Sequence, residues 1–121
     1  MKRIAVTAVA VAALALALPG AAGAFWTGNL HAEASLTEIR YEVDVCGAKG
    51  KLVRFKAGYE ELNEGRIWYS EFSPSRQHKN CATWELSEET PMWAGEWQAA
   101  MEVTVRGHHK YTGPVSFTVT E

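Results

Sequence analysis

Two cysteines, four histidines, a cluster of glutamates and a set of large aromatic residues are the side chains here whose types could do chemistry. Cys46 and Cys81 are the only cysteines. A redox pair or a zinc site calls for C-x-x-C spacing or more sulfur and histidine nearby, and both are missing. Two cysteines in an oxidising compartment permit one intramolecular pairing, so a structural Cys46–Cys81 disulfide is expected, worth about 4 kcal/mol through restriction of the unfolded chain. Among His31, His78, His108 and His109 there is no H-x-H pair that would put two rings on one strand face, and the adjacent His108 and His109 diverge in extended chain. All four read as loop histidines without a metal.

The glutamates are no more suggestive of a centre. Glu60, Glu61 and Glu64 surround Asn63, but the alternating acids of a calcium loop are missing and Asp44 is the sole aspartate, so a solvated turn is expected. Glu71 and Glu85 are carboxylates that could face each other across strands, with nothing in the sequence to place them in a cleft. A G-x-S-x-G elbow, an H-E-x-x-H helix, a free nucleophilic cysteine and a phosphate-cradling glycine loop are all missing. The reading is a non-enzyme without a cofactor.

The aromatic residues remain. In "RIWYSEF", Arg66 to Phe72, apolar groups occupy both phases of one alternation, Trp68 and Phe72 in one and Ile67 and Tyr69 in the other. With the bulkier pair inside, Ile67 and Tyr69 stand outside, where a flat apolar ring is costly to leave wet and is either covered by a neighbouring loop or the chain's tail or free to stack on a sugar or anchor a protein. Trp97 is in phase with Ala99, Met101, Val103 and Val105, and Trp84 with Leu86, so both are expected in the core. Trp93, between Pro91 and Gly95, either caps the edge of the fold or stands exposed; Trp26 either anchors a first strand or is free.

The elements that must carry these residues follow from the period of the pattern. Ile39, Tyr41, Val43 and Val45 alternate with polar residues, as do Val53, Phe55, Ala57 and Tyr59, then Ala82, Trp84 and Leu86, then Trp97 to Val105, then Val115, Phe117 and Val119. The intervening "CGAKGK", "LNEGR", "SPSRQHKN", "SEETP" and "GHHKYTGP" are rich in turn residues. With Ala32 to Leu36 as a first strand, about seven strands result, and none of the segments reads as helix. Such a chain folds most economically as an all-β, antiparallel two-sheet sandwich, a small barrel being the runner-up.

Residues 1 to 24 open with Lys2 and Arg3, continue through an apolar run from Ile4 to Leu18 and end in small residues at Ala22 and Ala24, the layout of a cleaved secretory signal peptide. Phe25 to Glu121 then forms one domain, secreted or periplasmic and without a membrane anchor. The whole chain carries a formal net charge of −2, and loss of Lys2 and Arg3 with the leader makes the remainder more acidic. Scattered lysines on an acidic domain leave no footprint for a phosphate backbone, so nucleic acid is not expected as a partner.

The alanine-rich leader, "YEVDVCG" running into "KLVRFKAG", the central "RIWYSEF" and a second cysteine before "ATWEL" together resemble the small exported immunoglobulin-like and fibronectin type III-like domains of high-GC Gram-positive bacteria. The resemblance implies a scaffold and little about function. The chain departs from the antibody pattern, in which a Tyr lies two residues before the second Cys: residue 79 is Lys, and both cysteines are out of phase with the inward positions, which puts the bridge at strand ends or on the outer surface.

The functional expectation is surface recognition of a protein or a cell-envelope glycan by Ile67, Tyr69 and Trp93. One rival is a serine protease inhibitor that presents Arg76 on a loop from Ser73 to Cys81, stiffened by the disulfide behind it. Another is a carbohydrate-binding module with exposed rings.

Overall fold

Alternation of apolar and polar residues builds this fold one strand at a time. The structure, a computed structural model, describes residues 24–121. Its strands are β1 (Trp26–Ala34), β2 (Glu38–Cys46), β3 (Leu52–Glu61), β4 (Arg66–Arg76), β5 (Cys81–Glu89), β6 (Gly95–Val105) and β7 (His108–Val119). They form two antiparallel sheets, ordered β1-β2-β5 and β4-β3-β6-β7. This is the seven-stranded sandwich that the pattern predicts. The hairpins β1–β2, β3–β4 and β6–β7 stay within a sheet, and the chain crosses between sheets after β2, β4 and β5. In constant-type antibody domains the fourth strand joins the first sheet; here β4 extends the larger one. The leader read at residues 1 to 24 lies, apart from Ala24, outside the described residues.

The inward phase is the expected one on the central strands. Ile39, Tyr41, Val43 and Val45 of β2, Val53, Phe55, Ala57 and Tyr59 of β3, and Trp97, Ala99, Met101, Val103 and Val105 of β6 are all buried. At one end of the sandwich the core is almost wholly aromatic. Trp68 stacks on Tyr59 with ring centroids 6.0 Å apart and an interplanar angle of 20°, and Trp97 packs edge-on against Trp93 at 4.8 Å. The Trp97 indole N–H donates to the carbonyl of Trp93 at 3.1 Å, so this wholly buried ring leaves no polar atom unsatisfied.

The opposite end is held by covalent and polar links. Cys46, last residue of β2, lies directly across from Cys81, first residue of β5, and the two are bridged within one sheet at the strand ends. The bridge spans 35 residues, a loop that runs out through β3 and β4 of the other sheet and back. Beside it Gln77 is buried; its amide NH2, with two hydrogens, one of them shared, donates to the carbonyls of Val45, Lys79 and Asn80, each at 3.0 Å, while its oxygen accepts from the Trp84 indole at 2.8 Å. One side chain thus pins the β4–β5 connection to β2 and β5. Between the sheets, buried Ser70 donates to Glu88 at 2.8 Å and lies 3.3 Å from the Tyr41 hydroxyl. Burial pushes the pKa of Tyr41 well above the usual tyrosine range, and burial raises that of Tyr59 as well.

Three expectations need correction. First, β1 starts at Trp26 instead of Ala32, with Phe25 buried ahead of it and the Trp26 indole lying along its own strand against Gly28, where any side chain would collide with the ring. Second, "SPSR" and "HHKYTGP" are strand rather than turn, so His108 and His109, like His31 on β1, are strand and not loop histidines. They carry Pro74 and Pro114, which a central strand would reject, but β4 and β7 are edge strands, where a missing N–H costs no ladder bond. The actual β6–β7 turn is the pair Arg106 and Gly107, both at positive φ. Third, Trp84 is half-buried instead of deep in the core, because β5 is an edge; its ring packs against Phe55 at 5.2 Å.

Candidate functional site

The outward face of β4-β3-β6-β7 is built from the residues left over when the inward phase is assigned. Register aligns them in rows across the sheet. Tyr69 lies opposite Gly58, which lies opposite Ala100. One row toward the disulfide end come Glu71, Lys56, Glu102 and Tyr111; one row toward the aromatic end come Ile67, Glu60, Gln98 and Ser116. The two middle strands therefore contribute almost no side chain at the centre of the face, while the outer strands contribute rings. The result is a trough of about 300 Å³, floored by Gly58 and Ala100 and walled by Ile67 and Tyr69 on one side and Tyr111 and Pro114 on the other.

A β-bulge shapes the β7 wall. Between the pairs Ala99–Val115 and Met101–Thr112, β7 carries Gly113 and Pro114 against the single residue Ala100. Gly113 has φ +105°, and a Cβ there would come within 3.0 Å of the Ala99 carbonyl oxygen, so the bulge requires glycine at this position. Tyr69 and Tyr111 are 60% and 72% exposed, among the most exposed large side chains of the described residues.

The two ends of the trough are polar. At one, the Tyr111 hydroxyl donates to Glu102 at 2.7 Å, and this bond to a carboxylate raises the tyrosine pKa. The Lys56 ammonium lies 4.8 Å from the Tyr69 ring centroid and 4.0 Å from a Glu71 oxygen. At the other end Gln98 donates to Glu60 through one carboxylate oxygen. Beyond the Lys56–Glu102 row the same face continues into a more charged depression that includes Arg54, Arg106 and His109.

Of the sequence candidates, Ile67 and Tyr69 are outward and line the trough together. Trp93 belongs elsewhere: 40% exposed, it closes the aromatic end against Trp68 and Trp97. Arg76 is the last residue of β4, paired with Leu52, and donates to the Gly50 carbonyl at 2.5 Å. The segment expected to be a protruding loop from Ser73 is thus strand as far as Arg76, and the connection that remains is short and tied inward by Gln77.

Glu71 and Glu85 lie on different sheets, opposite Lys56 and Glu42 respectively, and do not face each other. Glu61, read as a solvated acid, is buried and accepts the backbone N–H groups of Asn63 and Glu64 at 2.7 and 3.2 Å, so it organises its own turn. Among the described residues no group of three or more His, Cys, Asp or Glu is arranged to hold a metal ion.

Sequence reasoning missed Gly58, Ala100 and Tyr111. Tyr111 had a findable signal: a two-residue Arg106-Gly107 turn pairs Val105 with His108, and counting back along the hairpin sets Tyr111 beside outward Glu102. No protein-family model matches the chain, and no curated protein matches it either.

Proposed function

We propose that this chain is an exported, non-enzymatic recognition domain that holds its partner against the outward face of β4-β3-β6-β7, with Tyr69 and Tyr111 as the anchoring rings. The observation that carries this reading is the trough itself: two highly exposed tyrosines flank a floor of glycine and alanine, an arrangement that leaves much of both rings in water. Export is supported by the leader pattern of residues 1 to 24 and by the disulfide, which persists in oxidising compartments. Among the described residues no helix is long and apolar enough to cross a membrane.

The test is immobilisation of the wild type and of a Tyr69→Ala, Tyr111→Ala double variant, each exposed to envelope material and secreted proteins of the producing cell. Material retained by the wild type and lost by the double variant, with equal urea midpoints, is the expected result. Equal retention by both, or equal loss in a Glu85→Ala control on the opposite sheet, overturns the reading.

A further inference from the structure

Resting on that recognition reading, we infer that the occupant of the trough is an uncharged pyranose sugar, one or two rings of a glycan. Neighbouring strands lie about 4.8 Å apart, so the β4 and β7 backbones that carry the walls are separated by about 14 Å. Lys56 and Glu60, at the two ends of the floor, are four residues apart, which spans about 13 Å of strand. The site is therefore a short trough with polar side chains at both ends, continuing past Lys56 and Glu102 into the charged depression. A helix or an extended peptide strand would run past both ends and cover Lys56, Glu102, Glu60 and Gln98, which line them, as well as the rings.

Polarity then separates the small ligands. A wholly apolar molecule would suit the rings but would cover Lys56, Glu60 and Glu102 without replacing their water, a desolvation cost that offsets the apolar gain. An anion would meet two carboxylates against one ammonium in the lining. A pyranose has what the trough asks for. Its two faces are C–H surfaces, polarised by the ring oxygens and attracted to the negative π-faces of tyrosines, and its rim is a ring of hydroxyls that both donate and accept. The faces would address Tyr69 and Tyr111. The rim would address Glu60 and Gln98 at one end and Glu102 and Lys56 at the other, where carboxylate and amide oxygens accept and the ammonium and amide N–H groups donate. Ala100 leaves its part of the floor without bulk, where a ring can descend, while Tyr69 and Ile67 lean over Gly58, with Tyr69 Cε1 3.4 Å and Ile67 Cγ2 3.7 Å from where a Cβ would stand.

The experiment is a two-dimensional NMR titration of the ¹⁵N-labelled Phe25–Glu121 protein with four neutral tetrasaccharides (cello-, manno-, malto- and fully N-acetylated chito-oligosaccharide) and with a tetragalacturonate as acidic control. At least one neutral sugar is expected to shift the amides of Gly58, Ala100 and their neighbours, with affinity reduced tenfold or more by Tyr69→Ala or Tyr111→Ala and lost in Ala100→Leu, which fills the floor. Urea midpoints of the variants confirm that each is folded. Failure of all four neutral sugars to bind, shifts that map away from the trough, tetragalacturonate binding that survives the tyrosine variants, or concentration-dependent dimerisation through this face overturns the inference. If no sugar binds while the double tyrosine variant still loses retained envelope material, the sugar is wrong and the recognition face stands. If retention is also unchanged, both fall.

Discussion

Trp68 and Tyr69 are adjacent on β4, yet they belong to the two regions of this molecule that differ most. Trp68 points inward, into the group it forms with Tyr59, Trp93 and Trp97, whose ring centroids lie 4.8 to 6.2 Å apart. Tyr69 points outward to the trough it shares with Tyr111. Both regions are aromatic, and what separates them is coverage. In the first, rings satisfy one another, and the polar edge of Trp97 finds a carbonyl. In the second, rings face water across a floor without bulk. Aromatic content alone therefore says little about function; the side of the sheet on which a ring falls says a great deal.

That contrast can be broken, most forcefully at Trp97. Trp97→Ala removes a side chain with no exposed surface and should cost about 3 to 5 kcal/mol in urea unfolding at constant m-value. Trp93→Ala tests the boundary of the same region: its ring is 40% exposed, so a cost of roughly 1 to 2 kcal/mol is expected from the lost apolar burial. A larger loss at Trp93 than at Trp97 would mean that the end cap, not the strand phase, organises the cluster.

Alkaline pH sharpens the comparison through inward and outward tyrosines. Buried Tyr41 keeps its proton to a higher pH folded than unfolded, where it titrates near 10. Above about pH 10 the unfolded chain therefore binds fewer protons than the native one, and stability is fully present below that pH and falls as pH rises through the window. Tyr41→Phe should flatten the decline while lowering stability at neutral pH by loss of the link to Ser70. Tyr111→Phe should leave the alkaline profile unmoved, since its raised pKa comes from a fully solvated bond to Glu102. A flattening in Tyr111→Phe equal to that in Tyr41→Phe would erase the distinction. The smallest stability effect belongs to Tyr69→Ala and Tyr111→Ala, each within about 0.5 kcal/mol of wild type by thermal or urea unfolding, because most of each side chain is already in water.

The links at the disulfide end show a different kind of legibility. Cys46 and Cys81 could be paired by elimination, and their position out of phase with Val45 and Ala82 already put the bridge at strand ends, where the structure has it. Gln77 was invisible. A glutamine in "SPSRQHKN" has a turn's neighbours, and only the fold shows that its amide meets three carbonyls and an indole at once. Glu61 was hidden in the same way, one of several acids at a turn until burial singled it out.

The sequence by itself determined the all-β class, the inward phase of β2, β3 and β6, and the disulfide, and it singled out Ile67 and Tyr69 as the second apolar phase of one strand without deciding whether they are covered. All of these depend on the two-residue period of a strand or on counting cysteines, which are local properties. Tertiary structure alone decided that β4 and β7 flank β3 and β6, and hence that Tyr69 and Tyr111, far apart in the chain, wall one trough over Gly58 and Ala100. Strand order and register are settled by which hydrophobic faces pack and which edges pair across long stretches of chain, and no local period encodes them.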